Sequence, residues 1–115
     1  MKTIFIDIDG TLIYHNGDIS KQIKNEGIVL AGVLEKFIEW NRKGYCVVLT
    51  TGRKECMREL TKNQLLEAGI FYDQLVMGLP RGPRVLINDD KPGEETITAT
   101  SIMVERNKGI EDIYV

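Results

Sequence analysis

Short apolar runs alternate along the chain with segments in which apolar residues recur every three or four positions. Thr3-Ile4-Phe5-Ile6-Asp7-Ile8 is a β-rich run that ends in the turn-prone pair Asp9-Gly10. Residues 11–29 are polar and dotted with glycine, and Asn16-Gly17-Asp18 predicts a hairpin turn among them. From Ala31 to Lys43, with Leu30 just before, the residues Leu30, Val33, Leu34, Phe37 and Ile38 fall on one helical face, and Gly44 supplies the stop. Tyr45-Cys46-Val47-Val48-Leu49 is a second continuous apolar strand, running into Thr50-Thr51-Gly52-Arg53. A second helix is expected from about Glu55 to Ala68, closed by Gly69, with further strands at Gln74–Met77, Val85–Asn88 and Ser101–Glu105.

Strands that are apolar throughout, separated by helices of about a dozen residues, predict a parallel sheet covered on both faces. The expected architecture is α/β, three-layered and open, with a mostly parallel sheet of about five strands. Residues 11–29 are expected to form a short β-hairpin flap. The 115 residues contain no repeat, linker or low-complexity tract, so they are read as one domain over 1–115. Apolar residues make up 43% and charged residues 28%, which separates the chain from disordered ones. A formal charge of -2 argues against a broad nucleic-acid surface. No apolar run approaches the ~20 residues of a membrane span, and Met1-Lys2-Thr3 leads straight into a strand rather than a signal peptide. Cys46 and Cys56 lack metal or redox spacing and read as free thiols, consistent with a cytoplasmic protein.

In open sheets of this kind ligands collect at the carboxyl ends of the strands. Those ends hold Asp7 and Asp9 after the first strand, Thr50, Thr51 and Gly52 after the second, and Asp89, Asp90 and Lys91 after the fourth. Four carboxylates at one rim repel each other unless a positive group lies between them, and hard oxygen donors suit Mg²⁺. The Asp7-Ile8-Asp9 spacing puts two carboxylates within reach of one bound group, and a turn at Asp9-Gly10 would let them flank it. One could then attack while the other handles a proton. Plainer readings stand beside these. Asp89 and Asp90 suit a turn before Lys91-Pro92, Thr51-Gly52 suits a helix cap, and Arg53 suits a surface or salt-bridging residue. His15 suits an exposed loop.

Asp7-Ile8-Asp9-Gly10-Thr11-Leu12 resembles the first motif of the haloacid dehalogenase superfamily, DxDGT after a hydrophobic run. Val47-Val48-Leu49-Thr50-Thr51-Gly52-Arg53 looks like its second motif and Leu86-Ile87-Asn88-Asp89-Asp90 like its acidic fourth, in the family's order. The resemblance spans essentially the whole chain and implies a Rossmann-like fold without a cap domain. It implies Asp7 as nucleophile and Asp9 as the acid that protonates the leaving oxygen and then activates water. Thr51, with Gly52, would hold the phosphoryl oxygens, and Gly10 and Arg53 would also line the substrate. Asp7, the Asp9 carbonyl and Asp89 would ligate Mg²⁺, with Asp90 a further ligand or a partner that orients one.

The third motif departs from the family pattern. Leu79 stands where related small phosphatases tend to carry lysine, within Gly78-Leu79-Pro80-Arg81-Gly82-Pro83-Arg84. Arg81 is the first candidate for the missing cation and Lys91 its rival, while Arg84 is expected on the far side from Asp89. The family's strand order requires the third strand to stop near Met77 and the fourth to start near Val85 or Leu86; otherwise Gln74 to Ile87 is a hairpin. Without a cap the site is expected to be open, suiting a bulky substrate or a second copy of the chain as lid, and His15, Asn16, Lys21 and Lys24 could touch a leaving group. The expected function is a Mg²⁺-dependent phosphatase for a small phosphorylated metabolite, a sugar phosphate or nucleotide. The alternatives are an inactive binding module of the same fold and a receiver-like phosphoacceptor domain.

Overall fold

A computed structural model describes residues 1–24, 26–93 and 95–115. Its sheet has three strands, β1 (Thr3–Asp7), β2 (Cys46–Thr50) and β3 (Gln74–Val76), all parallel in the order β1-β2-β3. Register is set by Thr3 opposite Cys46 through Asp7 opposite Thr50, and by Val48 opposite Gln74 through Thr50 opposite Val76. The carboxyl ends of β1 and β2 therefore finish level, which puts Asp7 beside the Thr50-Thr51-Gly52 turn.

Helix α1 (Ile19–Lys24) sits in the flap, α2 (Val33–Arg42) links β1 to β2, and α3 (Arg58–Ala68), entered through a 3-10 turn at Glu55–Met57, links β2 to β3. Gly44 and Gly69 end α2 and α3 at φ 74 and 79, in the left-handed conformation that only glycine adopts freely. The core gathers Ile4, Ile6 and Ile8 from β1 and its end, Val47 and Leu49 from β2, Val33, Phe37 and Trp40 from α2, and Leu65 from α3. The stripe α2 buries is Val33, Phe37 and Trp40, at steps of four and three, so Leu34 and Ile38 lie outside it and are exposed.

Several expectations are corrected. The strands expected at Val85–Asn88 and Ser101–Glu105 do not form; every described residue from 81 to 103 except Thr98 is exposed, Ile87 at 90%. A β-rich run becomes a strand only when a neighbour takes up its amide and carbonyl groups, and here the arm folds on itself instead. Asn88 Nδ2 donates to the Thr98 carbonyl at 3.0 Å, and the Thr98 hydroxyl donates to the Asp89 carbonyl at 2.5 Å. Gln74–Ile87 is not a hairpin either, since β3 pairs only with β2 in parallel. The principal extents of 50 × 28 × 25 Å are those of a body carrying an arm.

The sheet is not covered on both faces throughout. β2 buries Val47, Val48 and Leu49 in succession, as the central strand, whereas β1 alternates and leaves Phe5 58% exposed. The flap is not a β-hairpin. A single antiparallel bridge between Ile13 and Val29 closes its base, and Asn16-Gly17-Asp18 leads into α1, where Asp18 Oδ1 accepts from both the Ser20 N–H and hydroxyl at 2.8 Å. Among the described residues no helix is long and apolar enough to cross a membrane.

Candidate functional site

The loop after β1 winds around one carbonyl. Ile8 O accepts the N–H groups of Thr11, Leu12 and Ile13 at 3.2, 2.8 and 3.1 Å, and Gly10 N–H donates to Ile13 O at 2.7 Å. That winding needs φ 91 at Gly10, the left-handed region that suits glycine. The chain thus turns sharply at Asp9-Gly10, and Asp7 and Asp9 leave the strand end in different surroundings.

Asp7 stands at the solvent-facing rim, and the Thr11 hydroxyl donates to its Oδ2 at 3.2 Å. Burial of the carboxyl raises its pKa above the ordinary aspartate value, and the nearby Asp9 charge adds to the rise. The Thr11 hydroxyl, the Ile8 N–H and the Arg84 guanidinium pull the other way without cancelling it. Arg84 therefore lies within electrostatic reach of Asp7, while its Nη1 donates to the Pro80 and Gly82 carbonyls at 3.0 Å each.

Asp9 is gripped from two sides. Arg53 Nε donates to Oδ2 at 2.9 Å and Nη2 to Oδ1 at 2.7 Å, a bidentate pair. Gln22 Nε2, from α1, donates to the same Oδ1 at 2.7 Å and to the Tyr14 carbonyl at 2.8 Å. Arg53 is only 2% exposed, and its Nη1 donates to the Thr61 hydroxyl of α3 at 3.2 Å. It is not a surface residue, and its guanidinium is committed to Asp9 and Thr61. The flap and the turn after β2 thus meet on one carboxylate, and α3 steadies the arginine that holds it.

Thr51 is buried, and its Oγ1 accepts the Arg53 N–H at 3.0 Å, so the hydroxyl proton is left to donate elsewhere. Its backbone is fixed by Thr51 N–H to Val76 O at 3.0 Å and Leu79 N–H to Thr51 O at 3.1 Å. Gly52 is exposed beside it, and a Cβ there would stand 3.3 Å from the Leu79 carbonyl.

The structure brings Asp7, Asp9, Gly10, Thr51, Gly52 and Arg53 to one region. It leaves Asp89, Asp90, Arg81 and Lys91 on the exposed arm. Among the described residues no three acidic, histidine or cysteine side chains are close enough to hold a metal ion. The Asp7 carboxylate is a hard oxygen donor of the kind a divalent cation takes, and its raised pKa marks a charge that such an ion would relieve.

Sequence reasoning missed Gln22, Thr61, Arg106 and Asn107. Asn107 N–H donates to the Gly10 carbonyl at 2.8 Å, and the Asn107 side chain brackets the His15 backbone. Its Asn-Lys-Gly setting is a turn signal that could have marked it. Gln22 and Thr61 carry no local signal, because their partners lie 13 and 8 positions away.

A family model described as haloacid dehalogenase-like hydrolase matches residues 4–70. No curated protein matches the chain. Among solved structures, a chain of the Pnkp1/Rnl/Hen1 complex is similar at 31% identity and a TM-score of 0.58, over 66% of this chain and 27% of that one. This chain therefore spans about a quarter of that relative. A Vibrio cholerae structural-genomics protein is similar at 22% identity and a TM-score of 0.57, over 78% and 80% of the two chains. The D,D-heptose 1,7-bisphosphate phosphatase of B. bronchiseptica, complexed with magnesium and phosphate, shares 24% identity and a TM-score of 0.50 over 72% and 52%. The last two establish likeness of fold. With the family model covering more than half of its length, the chain belongs to the haloacid dehalogenase-like hydrolases.

Proposed function

We propose that the protein is a Mg²⁺-dependent phosphatase that hydrolyses a phosphate monoester of the sugar-phosphate or nucleotide class through an aspartyl-phosphate on Asp7. The observation that carries this reading is the division of labour between two carboxylates two residues apart. Asp7 stands at the rim with a carboxyl whose pKa is raised, and Asp9 is held by Arg53 and Gln22.

An Asp7 oxygen attacks phosphorus while the bond from phosphorus to the ester oxygen breaks. Asp9 gives its proton to that departing oxygen. Oδ1 of Asp9 already accepts two hydrogen bonds and Oδ2 only one, so Oδ2 keeps the lone pair that carries the proton. Asp9 then takes a proton from water, the water oxygen attacks phosphorus, and the bond from Asp7 to phosphorus breaks, releasing inorganic phosphate. The Thr51 hydroxyl and the Gly52 N–H are the donors placed to hold phosphoryl oxygens. Asp7 and the Asp9 carbonyl would hold Mg²⁺, which when bound neutralises charge on the phosphoryl oxygens.

The dispersal of Asp89 and Asp90 onto the arm favours a second reading, a binding module of the same fold that does not turn over. Family membership supports hydrolase chemistry over the receiver-like reading. The deciding experiment is a panel of sugar phosphates, nucleotides and short oligoribonucleotide phosphates incubated with the purified full chain, with Mg²⁺ or with chelator. The oligoribonucleotides belong in the panel because one similar chain comes from an RNA repair complex. Repeated turnover that needs Mg²⁺ and vanishes in Asp7→Asn supports the phosphatase. Tight binding without turnover supports the module.

A further inference from the structure

The segment around Asn107 is pinned to the catalytic loop more firmly than its exposure suggests. Asn107 N–H donates to Gly10 O at 2.8 Å, Asn107 Oδ1 accepts the His15 N–H at 2.7 Å, and Asn107 Nδ2 donates to the His15 carbonyl at 3.2 Å. Its φ of 64 is the only left-handed value at a non-glycine among the described residues. Such a backbone persists where its surroundings over-determine it, as these three bonds do.

The preceding residue, Arg106, is consequently laid over the loop. Its Cγ and Nε lie 3.2 and 3.8 Å from where a Cβ on Gly10 would stand, and His15 Cβ lies 3.7 Å from the same point. Arg106 is exposed and makes no hydrogen bond or ion pair among the described residues. A guanidinium with no partner among the described residues thus has its stem laid one residue beyond Asp9 at an open site. Under the phosphatase reading Asp9 faces the departing oxygen, while the transferred phosphoryl group lies with Asp7, Thr51 and Gly52. Gly10 and Arg106 therefore border the leaving group.

We propose that Arg106 binds a second anionic group on the leaving group, so that the preferred substrates are phosphate monoesters bearing another phosphate. The proposal rests on the phosphatase reading and sharpens its substrate class. A guanidinium offers a planar fork matched to phosphate oxygens, and a charge-assisted bond of this kind is worth roughly ten- to hundredfold in affinity.

The test uses two matched pairs, adenosine 3′-monophosphate with adenosine 3′,5′-bisphosphate, and glucose 6-phosphate with glucose 1,6-bisphosphate. The readout is the ratio of kcat/KM between bisphosphate and monophosphate, for wild type, Arg106→Gln and Arg106→Lys. Gln keeps the packing of the stem and Lys keeps the charge without the fork. The expected result is a wild-type ratio of about ten or more in at least one pair, falling close to one in Arg106→Gln and lying between in Arg106→Lys. A wild-type ratio near one in both pairs overturns the proposal. So does an equal loss on both members of a pair, which marks a structural role or action on the transferred phosphate itself. If wild type turns over none of the four, the wider panel judges the phosphatase reading, and calorimetric binding of the same four compounds decides the proposal. A bisphosphate preference lost in Arg106→Gln then supports the anchor, and no preference refutes it.

Discussion

Asp7 works against the stability of the fold it belongs to. Its pKa is raised in the folded state, so the folded protein binds that proton more tightly than the unfolded chain does. The resulting loss of stability is absent below the unfolded value of 3.8, grows as pH climbs from there through the folded value, and is complete above it. In metal-free buffer Asp7→Asn should therefore melt higher than wild type at neutral pH and alike at pH 3, while hydrolysing phosphate esters at least about a thousandfold more slowly. Mg²⁺ should raise the melting temperature of wild type and leave that of the Asn variant unmoved, because only a state that binds the ion gains from it. Arg53 contributes in the opposite sense. Removing a buried partner leaves Asp9 uncompensated, so Arg53→Ala should lose about 3–5 kcal/mol in urea denaturation, together with activity. Asp7 and Asp9 were legible because the string that contains them is contiguous. The grip on Asp9 was not, since Arg53 reaches it across 44 positions and periodicity says nothing about which polar side chain goes inside.

At the scale of elements, apolar periodicity located β1, β2, β3, α2 and α3 to within a residue or three, because each signal is local. It placed the buried face of α2 only in part. Leu30, Val33, Leu34, Phe37 and Ile38 read as one face, and Val33 and Phe37 are buried as expected, but Trp40 completes the buried stripe while Leu34 and Ile38 are exposed, with the Phe37 and Trp40 rings 5.2 Å apart. Phe37→Ala should consequently cost about 3–5 kcal/mol of unfolding free energy, and Ile38→Ala under about 1. Comparable losses from the two would place the core on the other face. The expected fourth strand failed for a related reason. Val85-Leu86-Ile87 has the propensity for a strand, and propensity supplies no neighbour with which to pair.

For the whole molecule, the arm is the part least tied down. Arg81 and Arg84 lie exposed in chain with no regular ladder, whereas Arg53 is buried and Lys91 is followed by Pro92, which blocks trypsin. Brief digestion should cut first after Arg81 or Arg84, and mass spectrometry of the early fragments checks it; first cuts within α2 or α3 would contradict the arm's exposure. The clasp at Asn107 also has a temporal side. His15 and Asn107 are 92 positions apart, against 44 for Asp9 and Arg53. Under the proposed function, a ribosome therefore adds both members of the Asp9–Arg53 pair long before the arginine that would choose among substrates, so the residues for reactivity are synthesised ahead of the one for discrimination.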